Sequence, residues 1–138
     1  MISTIFSVIV LSISSLLFSA VAASSDNMEA VDPPELLSDF NLKDQHGNAF
    51  GIDQFKGRWS MIFVGFTSCP DVCPMTLSNL EAIRADMGFR MSPDRIPNIV
   101  FLAVDPDRDT ALIKDYLSYF HPKYIGITGE VVEIDKLI

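Results

Sequence analysis

With 138 residues and a net charge of −8, the chain has room for one domain and lacks the basic excess that a phosphate-binding face needs. No nucleic acid is expected among its partners, and the acidity favours solubility and a basic partner.

Residues 1–25 carry no charged side chain, and Ile5 to Val21 is apolar apart from five serines. Ala20-Val21-Ala22-Ala23 matches a small-residue cleavage site, so residues 1–23 read as a signal peptide or, if uncleaved, a membrane anchor. The apolar run nearly reaches the roughly 20 residues that span a bilayer, but its serines weaken the anchor reading. The first basic residue is Lys43, so a basic n-region is missing and a mitochondrial transit peptide is disfavoured. Export implies an oxidising compartment, in which two thiols can be held as a disulfide. Residues 24–38 are polar and acidic and contain Pro33-Pro34, which suits a linker.

The domain is expected over residues 39–138. Phe40-Asn41-Leu42 and Phe50-Gly51-Ile52 flank a Gly-containing turn and predict a hairpin. Trp59 to Phe66 is an unbroken apolar run, read as a strand buried on both faces. Leu77, Leu80, Ile83 and Met87 recur at helical spacing, with Gly88 as the stop. Asn98 to Val104 predicts a second buried strand. Asp109 or Thr110 would cap the next helix, whose apolar face holds Leu112, Ile113, Tyr116, Leu117 and Phe120 before His121-Pro122 ends it. Tyr124 to Ile127 reads as a third strand, and Glu130 to Ile138 as the start of a further helix. Alternating strands and helices predict an α/β fold with parallel pairing, which gathers the loops leaving the strands on one edge. Those loops are Cys69 to Cys73, Asp105-Pro106-Asp107 and Thr128-Gly129.

The sequence has two cysteines, Cys69 and Cys73, in the segment Phe66-Thr67-Ser68-Cys69-Pro70-Asp71-Val72-Cys73-Pro74. Thiols at this spacing can form a redox pair or a disulfide, or hold one soft metal ion such as Cu(I). Pro74 suits the first helical position, which would put Cys73 at the helix cap with a lowered pKa. A structural disulfide would stabilise little, because it closes so short a loop. A structural zinc site wants four N or S ligands, and the two histidines lie in other segments. His46 reads as a solvated turn residue, and His121 as a helix-end residue facing the negative end of the dipole. Met75, Met87 and Met91 offer thioether sulfur, with core packing the better reading of Met87. Asp105, Asp107 and Asp109 read as turn and cap residues whose charge Arg108 offsets.

The cysteine segment, then Val104-Asp105-Pro106-Asp107-Arg108-Asp109-Thr110, then Phe120-His121-Pro122 with Gly126-Ile127-Thr128-Gly129, resembles the Sco/SenC copper chaperones from about Phe40 onward. The resemblance implies a thioredoxin-like fold (Sco/peroxiredoxin-like) in an exported protein of the periplasm or the periplasmic face of the bacterial inner membrane. Its implied function is delivery of copper to the binuclear copper site of cytochrome c oxidase, with a thiol-disulfide reductase role beside it. Implied partners are the copper-site subunit of the oxidase, a copper donor protein and, through an uncleaved leader, the membrane. By position, Cys69 and Cys73 match the family's copper-ligating cysteines, and His121 a non-ligand position. The family's third ligand is a histidine in a hairpin after the Gly-x-Thr-Gly motif. The nine residues after Gly129 hold no histidine, so the last hairpin and helix are expected to be lacking. Without that hairpin the strand over Trp59 to Phe66 is expected to present an apolar edge prone to aggregation. Two other readings compete: an exported thioredoxin-like thiol-disulfide oxidoreductase, and a non-functional truncated fragment.

Overall fold

The structure, a computed structural model, describes residues 31–138. The signal or anchor expected over 1–23 and the start of the linker lie outside the described residues. Among those residues no helix is long and apolar enough to cross a membrane. Val31 to Ser38 are exposed and carry neither helix nor strand. The fold below is that of the unit Leu36–Ile138.

Its centre is the strand β4 (Asn98–Ala103), the most apolar run of the domain. Ile99, Phe101 and Ala103 point to one face of the sheet and Val100 and Leu102 to the other, and all five are buried. A strand apolar on both faces needs cover on both. Parallel neighbours flank it: β3 (Ser60–Gly65) and β5 (Ile125–Thr128). Beyond β5, the hairpin of β1 (Leu42–Asp44) and β2 (Ala49–Phe50) adds antiparallel, giving the order β2-β1-β5-β4-β3. The hairpin is shifted by two residues from Phe40-Asn41-Leu42, and Gly47, at φ 83°, supplies its left-handed turn position.

The crossovers from β3 to β4 and from β4 to β5 step in the same direction. Both helices, α1 (Val72–Arg90) and α2 (Pro106–Ser118), therefore cover one face. There Leu77, Ile113, Leu117 and Tyr124 pack on Ile99, Phe101 and Ala103. Helix α2 sits close on β5 because Gly126 has no side chain: a Cβ there would come within 2.6 Å of Ile113 and Leu117. The opposite core of Phe40, Leu42, Phe50, Val100, Leu102 and Ile127 is covered by a 3-10 turn at Ile52–Phe55 and a one-turn helix α3 (Val131–Ile134). The helix expected over Glu130 to Ile138 is thus only that single turn. Helix α1 runs two residues past Gly88, which stays helical.

The expectation that Trp59 to Phe66 is buried on both faces is corrected. Strand β3 is an edge strand, with Met61 and Val64 exposed and Trp59 82% exposed. The Asn98 N–H donates to the Trp59 carbonyl and the Val104 N–H to the Gly65 carbonyl, both at 2.9 Å. Alternation along a parallel pair then turns the backbone groups of Ser60, Ile62 and Val64 outward. No strand lies beyond them among the described residues. Ile83, at an expected core position of α1, is exposed too, since the sheet ends beneath it.

Candidate metal centre

Three loops leave the carboxyl ends of β3, β4 and β5 on one edge of the sheet, as the alternating pattern implies. The first is Phe66 to Asp71, tightened by the Cys69 N–H donating to the Phe66 carbonyl at 3.2 Å. Helix α1 then starts at Val72, with Asp71 as the capping residue. This corrects the expected start by two residues: Pro74 is the third helical residue, and Cys73 lies inside the first turn. Cys73 is 6% exposed, whereas Cys69 is half-buried at the loop surface.

That difference reverses the expected acidities. The Cys73 side chain donates toward the Cys69 sulfur, and the Cys73 N–H adds a hydrogen bond at 3.4 Å. The amides of Asp71 and Val72 face the same sulfur, and together these donors hold the Cys69 thiol below its ordinary range. Burial pushes the Cys73 thiol up, and its neighbours Cys69 and Asp109 push the same way. Of the two, the half-buried Cys69 is the thiol held toward thiolate, and the buried Cys73 the one held toward its protonated form. Both are free thiols.

Two residues that sequence reasoning did not assign to the site shape it. A Cβ on Gly65 would lie 3.0 Å from the Cys73 sulfur and 2.8 Å from the Phe101 ring, so only glycine lets that sulfur rest on β3. Asp109, expected at a helix cap, lies within the first turn of α2 and is 0% exposed. One of its carboxylate oxygens accepts the Thr67 N–H (2.8 Å) and the Thr67 hydroxyl (2.6 Å), and the other the Asp105 N–H (3.3 Å). A buried carboxylate is tolerable when hydrogen bonds replace its water, and these bonds fasten the cysteine loop to α2. Arg108 makes a second tie, donating to Ser68 Oγ at 2.8 Å and lying 3.7 Å from Asp105. Asp105 takes the capping position before α2, as the cap reading expected, whereas Asp107 lies inside the first helical turn instead of in a turn before it.

Beneath the pair, Phe63, Phe101, Tyr116 and Phe120 form a run of rings 5.3–5.7 Å apart. The Tyr116 hydroxyl is buried without a hydrogen-bond partner. Burial and the nearby Cys73, Cys69 and Asp109 push its pKa up to about 12.

The histidines stay away from the sulfurs. His46 is exposed in the β1–β2 turn, at the opposite edge of the sheet, where Asp44 holds the backbone N–H groups of His46 and Asn48. His121 precedes β5 and so lies at the other end of the strands. It does not cap α2 with its ring: Nδ1 accepts the Lys123 N–H at 3.0 Å. Burial and Arg84 hold its imidazolium below the usual range. Among the described residues no three His, Cys, Asp or Glu side chains converge on a metal position. The donor set is two adjacent sulfurs, which suits a soft monovalent ion of low coordination number and not a hard cation.

The SCO1/SenC family profile matches residues 28–138. The SCO2-like protein of Rickettsia felis is 43% identical over 104 residues, 75% of this chain and 49% of that protein. Bradyrhizobium japonicum ScoI with copper bound matches at a TM-score of 0.65 and 39% identity, over 75% of this chain and 65% of that one. Yeast Sco1 with copper bound matches at 0.63 and 35%, over 74% and 56% of the two chains. The chain spans about half the length of the curated relatives it matches. A match that runs through both cysteines and the thioredoxin-like sheet decides the assignment: the chain belongs to the SCO1/SenC family.

Proposed function

We propose that this protein is an exported copper carrier, not an enzyme, that holds Cu(I) between Cys69 and Cys73 and delivers it to the binuclear copper site of cytochrome c oxidase. The observation that carries the reading is the pair itself. A thiolate-prone Cys69 at the surface and a sheltered Cys73 form a soft, two-sulfur site open on one side. Exposed Phe66, Val72 and Met75 border this segment and supply apolar contact for a recipient. An open site with few ligands releases its ion readily to a recipient that offers more, which is what a carrier requires. The relatives solved with copper bound support copper as the metal. The periplasm, or the periplasmic face of the inner membrane, is the proposed location.

The test is copper transfer. Full chain loaded with Cu(I) is mixed with the apo copper-binding domain of the oxidase, and the recipient's copper is measured after separation. Transfer by wild type and none by Cys69→Ala supports the role. Equal transfer by free Cu(I) and by the loaded chain would contradict it.

The split acidity favours a second reading, thiol-disulfide exchange with the same recipient. The Cys69 thiolate attacks one sulfur of a partner disulfide and displaces the other as thiolate. Cys73, losing its proton, then attacks the Cys69 sulfur, so the partner leaves as a dithiol and Cys69–Cys73 becomes the disulfide. Cys73→Ser should trap the mixed disulfide at Cys69, visible on a non-reducing gel. No trapping would remove this reading.

A further inference from the structure

At the amino ends of the parallel strands, remote from the cysteines, lies a cavity of about 100 Å³. Arg58 precedes β3, Arg84 projects from α1, and His121 and Lys123 precede β5, yet all four line this one cavity. In a chain with 18 acidic and 10 Lys or Arg side chains, no Asp or Glu lines it. Glu81 is nearby but committed: its two carboxylate oxygens each accept an Arg84 N–H at 2.7 Å. The remaining Arg84 donors are free of that pair. The Lys123 N–H bound to His121 Nδ1 leaves Nε2 as the proton-bearing nitrogen of the neutral ring. Every charged group of the lining is thus a donor. One water needs about 10–15 Å³ of such space, so the cavity has room for a larger guest.

We propose that this pocket binds a small oxyanion of the phosphate or sulfate type, held by Arg58, Arg84, His121 and Lys123. Cations gathered around a concavity repel one another, and an anion between them removes that cost. Such a group could be a free inorganic anion or the phosphate of a lipid headgroup, and the chemistry at the pocket is the same. His121 serves as its reporter. Burial lowers its pKa most, Arg84 lowers it further, Glu81 raises it, Lys123 lowers it, and Tyr124 packs beside the ring. A dianion brought against the ring stabilises the imidazolium. Binding therefore raises the His121 pKa, and affinity grows as pH falls through it.

The experiment is histidine hydrogen–deuterium exchange by mass spectrometry on the full chain, titrated with sulfate against chloride at equal ionic strength. Sulfate keeps its double charge across the pH range used. The expected result is a saturable rise in the His121 pKa with His46 unmoved, and an affinity roughly tenfold weaker in Arg58→Gln/Lys123→Gln. Equal shifts at both histidines, no shift at His121, or binding unchanged in the double variant would overturn the proposal. Both variant sites are exposed, so folding is not at stake. A second arm sediments the chain with phosphatidylglycerol vesicles. Retention lost in the double variant assigns a lipid phosphate, and sulfate binding without retention assigns a free anion.

Discussion

Thr67 gives both its backbone N–H and its hydroxyl to the same carboxylate oxygen of Asp109, at 2.8 and 2.6 Å, across 42 residues of sequence. This contact sets where the cysteine loop sits relative to α2, and it is the first place to test the architecture. Asp109→Ala leaves the Thr67 and Asp105 N–H groups without their acceptor. A loss of roughly 3 kcal/mol in unfolding free energy is expected, from about 1–3 kcal/mol per buried unsatisfied group. Thr67→Val keeps the N–H bond and should cost nearer 1 kcal/mol. Denaturant titration of the three proteins checks the order.

The two thiols should differ in reactivity. Cys69, lowered, is expected to take up iodoacetamide first, with Cys73 following only at higher pH, as read by peptide mass spectrometry. The signs for stability are opposite. Cys69's contribution is complete above the ordinary thiol value of 9.0 and is lost as pH falls through its lowered pKa. Cys73's is complete below 9.0 and is lost as pH rises through its raised pKa. Preferential labelling of Cys73 at pH 7 would contradict both assignments.

Gly65→Ala is expected to disturb the site directly. Its Cβ meets Cys73 Sγ and Phe101, neither at the end of a flexible chain, so overpacking should cost about 1–3 kcal/mol. Copper stoichiometry should fall with it. Denaturation and copper analysis of one preparation measure both. An unchanged stability would mean β3 can shift away from the helix.

Among the described residues no strand pairs with the outer side of β3, and in residues 24–138 taken alone that side should drive self-association. Ser60 to Gly65 carries no charge and no proline, and Ser60, Ile62 and Val64 turn their backbone groups outward. Sedimentation velocity of residues 24–138 is expected to show aggregates or oligomers that grow with concentration. Val64→Lys, a charge on the exposed edge strand, should reduce them. A sharp thermal transition from a monodisperse wild-type monomer would contradict the expectation.

How much of this was legible depended on the range of the interactions. Strand β4 could be read because five consecutive apolar residues, Ile99 to Ala103, need cover on both faces, and the cover is there. The apolar run of β3 looked alike, but its burial depends on a neighbour on each side, which a run cannot report. The cysteine pair stood out by spacing alone. Which thiol is the acidic one did not, since it turns on where α1 begins: a start at Val72 puts Cys73 inside the helix and leaves the amide nest to Cys69. Gly65 and Asp109 were unreadable as site residues because their roles are contacts with Cys73 and Thr67 that only the folded sheet makes.

The histidines offer a negative control for the metal site. His46→Ala and His121→Ala should each leave Cu(I) stoichiometry unchanged, since both side chains lie at other edges of the sheet. Cu(II), which favours nitrogen and oxygen donors in tetragonal sites, should bind much more weakly than Cu(I). Loss of copper in His121→Ala would show that the ring reaches the sulfurs.

Copper K-edge X-ray absorption on the Cu(I)-loaded chain, beside the Cys69→Ala/Cys73→Ala variant, bears most directly on the central claim. Roughly one copper per chain with sulfur scatterers, absent from the double variant, is the expected result. A first shell of nitrogen and oxygen alone, or stoichiometric copper retained by the double variant, would contradict it.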